Sequence, residues 1–131
     1  MEEVYRQALY EIEGIVVSIG STSPDLWDFM DKEQIPRGMV ITPCNPMGRK
    51  IADMDNTILC EAFTAAYGHL PRAVGYSPDK TWVEEGFFMT VQNEEEAKIL
   101  LKQHRQLAGV YCEGGKTPKL IWAIYWIVSV D

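Results

Sequence analysis

The chain of 131 residues carries 47% hydrophobic and 24% charged side chains, the balance of one soluble globular domain over residues 1–131 that can bury a core without metal or disulfide. Nineteen acidic against 12 basic side chains give a net charge of −7, which argues against nonspecific nucleic-acid binding and leaves room for a local basic patch. Cys44, Cys60 and Cys112 form no CxxC pair and no Cys/His cluster, so no metal and no cofactor is expected, and the thiols read as reduced and mostly buried.

In chain order, residues 2–11 place Val4, Tyr5, Ala8 and Leu9 at helical spacing, and Gly14 ends that helix. The acidic start lacks the cations and apolar run of a secretory signal. The β-branched run 15–19 predicts a strand. Ser23-Pro24 supplies an N-cap hydroxyl and a first-turn proline for a helix that turns Leu26, Phe29 and Met30 inward. A strand follows at 39–44, then a polar loop, then a helix over 51–67 with Ile58, Leu59, Ala62, Phe63 and Ala66 on one stripe and Gly68 as its stop.

Extended segments at 72–76 and 82–91 flank Ser77-Pro78-Asp79-Lys80, the chemistry of an antiparallel hairpin. Asn93 with Glu96 predicts a capped helix carrying Ala97, Leu100 and Leu101 inward. Strands at 108–112 and 119–129 close the chain. The last is apolar on both faces, as in a strand covered twice or one that meets a second subunit. Its longest apolar run, Leu120 to Val128, falls short of the roughly 18 residues of a membrane span. The expectation is a cytoplasmic α/β (α+β) protein, with a single mixed or largely antiparallel sheet covered by about three helices.

Candidate site residues gather where the chain turns. Met39-Val40-Ile41 runs into Thr42-Pro43-Cys44-Asn45-Pro46, and Arg49-Lys50 precede the helix that bears Asn56. Asn45 and Asn56 offer donors and an acceptor without charge, which suits either a polar ligand or closure of the loop on itself. Arg49 and Lys50 near a helix amino end form a candidate anion pocket, although no GxxxxGK[ST] or GxGxxG motif accompanies them. In Trp82-Val83-Glu84-Glu85, strand alternation sends the two carboxylates to opposite faces. Trp82 then shares a face with Glu84 and can stack on a planar ligand. Glu84 and Glu85 are the candidates for a general acid or base, which requires burial to raise the pKa. His104, following Leu100 and Leu101, reads as a packed, hydrogen-bonded histidine. Cys44 has no histidine nearby in sequence to activate it.

The order of these residues resembles an uncharacterised, mostly bacterial family, domain of unknown function 3293, over nearly the whole chain from Tyr5 and Tyr10 to Trp122. The matched pattern is a Thr-x-x-Asn-Pro strand end (Thr42, Asn45, Pro46), an Asn in the next helix (Asn56), and Gly75 ahead of the hairpin. A Trp-x-Glu-Glu strand (Trp82, Glu84, Glu85) and Gln106 with Ala108 complete it. The chain departs from the pattern at Pro43-Cys44 and at Gly86, which stands where the resemblance expects a serine. The resemblance implies a shared architecture and no established activity.

The residues themselves point to a module that binds a small polar or anionic molecule, such as a nucleotide. Thr42, Asn45, Arg49, Asn56, Trp82, Glu84 and Gln106 are the candidate contacts. One alternative is an enzyme with Glu84 or Glu85 as general base. Another is an interaction or inhibitor protein, or a homodimer, that uses the acidic surface or the aromatic C-terminal strand.

Overall fold

The computed structural model describes residues 2–123. Among these, seven strands and four α-helices build one α+β sheet structure. Strands β1 (Leu9–Ile12), β2 (Ile15–Ser18), β3 (Arg37–Ile41), β4 (Arg72–Tyr76), β5 (Val83–Thr90), β6 (Ala108–Glu113) and β7 (Lys119–Trp122) lie in the order β2-β1-β4-β5-β3-β6-β7. Every neighbouring pair is antiparallel. Of the three hairpins, β1–β2 joins β4–β5 by the pairing of β1 with β4, and β4–β5 joins β6–β7 through β3, which slots between β5 and β6.

The alternation along β3 and β5 separates two cores. Val40 and Phe88 face one side, with Ile12, Val17, Leu26 and Met30. Met39, Ile41, Phe87 and Met89 face the other, with Phe63, Ala97 and Leu101. Helix α2 (Pro24–Lys32) covers the first face through Leu26 and Met30. Helices α3 (Asp53–Tyr67) and α4 (Glu94–Gln103) cover the second. Burying a side chain such as Phe88 or Leu101 stabilises the fold by about 1.5–3 kcal/mol. Gly38 is required by this packing, since the Phe88 ring lies where its Cβ would stand.

Local signals explain most boundaries. Asn93 accepts from the Glu96 N–H at 2.8 Å, and the Glu96 carboxylate accepts from the Gln92 N–H at 2.8 Å, so α4 begins with reciprocal capping. Gly68 ends α3 at φ 80°. The hairpin expected around 77–80 joins β4 to β5.

Two expectations are corrected. The helix read over residues 2–11 ends at Gln7, and Leu9–Ile12 is a strand. Tyr10 and Ile12 alternate into the core, and Glu13 (φ 48°) with Gly14 (φ 85°) forms a two-residue hairpin turn that favours positive φ at both positions. Gly14 therefore turns a hairpin, and the first helix is confined to α1 (Glu2–Gln7). On α3 only Phe63 of the expected stripe is fully buried; Ile58 is 55% exposed, and Ala62 and Ala66 are exposed. The inward line instead runs Asn56, Cys60, Phe63, Tyr67, at the helical spacing of one face. The C-terminal strand is seen as far as Trp122; its expected extension to 129 runs beyond the described residues.

Candidate functional site

Strands β3 and β5 are paired through Ile41 and Phe87 and then part. At the fork the Thr42 hydroxyl donates to the Glu85 carbonyl at 2.6 Å and accepts from the Cys44 N–H at 3.0 Å, so one side chain replaces the next rung of the ladder. A Cβ on Gly86 would lie 2.5 Å from the Ile41 carbonyl oxygen. The serine that the resemblance expects here cannot be seated unless β3 shifts.

Beyond the fork the chain makes a tight 3-10 turn, Pro46–Gly48, with Asn45 (φ 47°) and Met47 (φ 58°) in the left-handed region. That conformation disfavours a side-chain-bearing residue, most of all one followed by proline. It is held by partners far away in sequence. The Asn56 side-chain oxygen accepts the Asn45 backbone N–H at 2.9 Å. The Asn45 side-chain oxygen accepts the Ile51 N–H at 3.1 Å and the Asn56 side-chain amide at 3.0 Å. The Arg105 backbone carbonyl accepts the Met47 N–H at 2.7 Å, and the amide of buried Gln106 donates to the Cys44 backbone carbonyl at 3.1 Å. The remaining link crosses to β5, where the Asn45 amide donates to the Glu84 carboxylate at 2.6 Å.

These bonds form one wall of a cavity of about 500 Å³. Asn45, Asn56, Trp82, Glu84 and Gln106 all line it, so five of the expected contacts converge. Thr42 works at the fork and is not in the lining. Arg49 is exposed and does not line the cavity, whereas its neighbour Lys50 does. Tyr5, Ile51 and Asp53 also line it. Tyr5 stands on α1, a segment whose sequence gives no hint of a site beyond its place in the family pattern.

The two adjacent glutamates differ as strand alternation requires. Glu85 is exposed and pairs with Arg72 at 2.7 Å. Glu84 is largely buried, and desolvation raises its pKa above the ordinary glutamate value, with hydrogen bonds from Asn45 and Trp82 partly offsetting the rise. Desolvation by its own burial raises the pKa of Tyr5 as well, and the nearby Glu84 charge adds to the rise.

The thiols of Cys44 and Cys60 lie 3.8 Å apart behind this wall. Burial and the neighbouring Cys44 push the Cys60 thiol up to about 12, which keeps it protonated and a poor nucleophile. His104 is half-buried against Phe63 and shares a 2.6 Å hydrogen bond with the Tyr67 hydroxyl; burial lowers its pKa. Among the described residues, no group of three or more His, Cys, Asp or Glu is placed to hold a metal ion, and no helix is long and apolar enough to cross a membrane.

A model of the family described as "Protein of unknown function (DUF3293)" matches residues 41–108, from the end of β3 to the start of β6. That span holds Asn45, Asn56, Trp82, Glu84 and Gln106. No curated protein and no solved structure gives a significant match.

Proposed function

The chain belongs to the DUF3293 family, whose description assigns no activity, and we propose from the site alone that it is a binding module for a small polar organic molecule. The observation that carries this reading is the convergence on one cavity of a partly buried indole, a partly buried carboxylate and polar side chains from segments distant in sequence. Pockets of this size with a few convergent polar groups are the usual form of a ligand site. The Asn45 and Asn56 amides serve mainly to build the wall. The surfaces left to a ligand are the Trp82 face, the Glu84 carboxylate, the Tyr5 ring and hydroxyl, and the Lys50 ammonium.

The test is titration of the protein with nucleotides, small anions, amines and neutral heterocycles, followed by calorimetry and amide NMR. Saturable binding that perturbs the Trp82 indole signal, and that weakens at least tenfold in Trp82→Ala, is expected. Binding that Trp82→Ala leaves unchanged in a folded protein would remove the reading.

A second reading adds catalysis, with Glu84 as general base. Its support is the burial that raises the Glu84 pKa toward the range a base needs near neutrality. It expects product formation detectable by mass spectrometry, with kcat falling in Glu84→Gln by 10²-fold or more.

A further inference from the structure

Glu84 is the one carboxylate on the cavity wall contributed by the sheet, and the partners it has are neutral: the Asn45 amide and the Trp82 indole. None of the ion pairs among the described residues includes it, although Glu85 next to it has Arg72. A largely buried carboxylate without a cation is a costly arrangement, and a cation of the right shape relieves it. The surrounding surfaces suit such a guest. Tyr5 and Trp82 present aromatic rings, which attract cations through their negative faces, and Val4, Ile51 and Val83 give apolar contact.

The same geometry disfavours an anion. Arg49 is outside the lining, and among the described residues Lys50 is the single cationic side chain within it, against Glu84 and Asp53. The amino end of α3, which would otherwise attract an anion, carries Asp53 and Asp55 in its first turn. A phosphate entering the cavity would meet two carboxylates in its lining, Glu84 and Asp53.

We propose that the ligand of this cavity is a flat organic cation of the amidinium or protonated-amine class, whose N–H groups bond Glu84 while its frame lies against Trp82 and Tyr5. An amidinium presents two parallel N–H groups to a carboxylate, a geometry that adds direction to the charge pairing. This inference rests on the binding reading above and deepens it by naming the charge of the guest.

The experiment compares benzamidine, benzamide and benzoate, three probes of nearly one shape with positive, neutral and negative charge, together with inorganic phosphate. Binding is followed by amide NMR on the wild type and on Glu84→Gln, whose folding is checked by circular dichroism. Benzamidine is expected to bind at least tenfold more tightly than benzamide or benzoate, to shift the Trp82 indole signal, and to lose that preference in Glu84→Gln. The wild-type series is decisive even if the variant fails to fold. Benzoate or phosphate binding at the Trp82 signal as tightly as benzamidine overturns the cation and leaves the binding module standing. A preference for benzamidine that survives in folded Glu84→Gln overturns Glu84 as its partner. No probe reaching the Trp82 signal at millimolar concentration overturns the proposal, while the broader titration above still decides the binding reading.

Discussion

Two loops of similar composition meet different fates in this molecule. Ser77 to Thr81 and Thr42 to Ile51 are both polar and proline-bearing, and both contain residues at positive φ. In the first, Asp79 accepts from the Ser77 hydroxyl at 2.8 Å and from Thr81 N–H and hydroxyl at 3.1 and 2.8 Å, all two residues away. In the second, the partners lie 11, 39 and 62 residues away. The first loop is a turn that closes on itself. The second is a surface that several elements must agree to build, and it gives the cavity Asn45, Gly48, Lys50 and Ile51, where the first gives Thr81 alone. A polar loop becomes a candidate site when its strain is held by distant side chains.

The sharpest way to break this contrast is Asn45→Asp. It keeps the oxygens that Ile51 and Asn56 use but replaces the donor that faces Glu84 at 2.6 Å with a second carboxylate. Urea denaturation near neutrality should show a loss of about 3 kcal/mol. Two facing carboxylates hold a proton more tightly when folded than when unfolded, so the loss should shrink in mild acid. Asn56→Ala comes next. It strips both the acceptor of the Asn45 backbone N–H and the donor to the Asn45 side-chain oxygen, for about 2 kcal/mol by the same measurement.

Glu84→Gln is expected to act in the opposite direction. Burial raises the Glu84 pKa, so the folded protein binds its proton more tightly than the unfolded chain. The burial cost is absent below the ordinary value of 4.5 and fully present above the raised one. The variant should therefore melt slightly higher than wild type near neutrality, and thermal melts across pH should show the advantage vanish below 4.5. Asp79→Ala should have the smallest effect. Hydrogen bonds from the Thr81 N–H, the Ser77 hydroxyl and the Thr81 hydroxyl hold the Asp79 pKa down. Its modest contribution is present above the ordinary carboxylate value and lost as pH falls through the lowered one. A midpoint shift comparable to that of Asn56→Ala would erase the distinction between the two loops.

The same contrast explains what was legible in the sequence. The 77–80 turn, the Asn93–Glu96 cap, the first-turn Pro24 and the Gly68 stop all act over a few residues and are legible in the chain, whereas the Ser23 hydroxyl expected to cap α2 makes no capping hydrogen bond. The opposite faces of Glu84 and Glu85 follow from strand periodicity alone. The β1–β2 hairpin was missed because Val4, Tyr5, Ala8 and Leu9 happen to fall at helical spacing, while the true signal, Tyr10 and Ile12 around Glu13-Gly14, is only two alternations long. The α3 stripe was misplaced because tertiary packing chose the face bearing Cys60 and Tyr67 over the one richer in aliphatic residues. That Asn45, Asn56, Trp82, Glu84 and Gln106 share a cavity follows from β3 lying beside β5, an adjacency no local pattern encodes. Tyr5 enters the wall by the same long-range route.

The fork at Thr42 has a dynamic consequence. Below it, β3 is clamped on both sides by strand pairing to β5 and β6. Above it, the segment is moored by individual side-chain links and one Met47 backbone bond. Such a segment can swing out while the sheet stays zipped, because local opening requires only the few bonds that bridge it. Deuterium uptake in the native state should therefore reach the amides of Cys44 to Ile51 well before those of Met39 to Ile41. A ligand of the proposed kind would then enter and leave by unmooring a loop, at no cost to the strands that carry it.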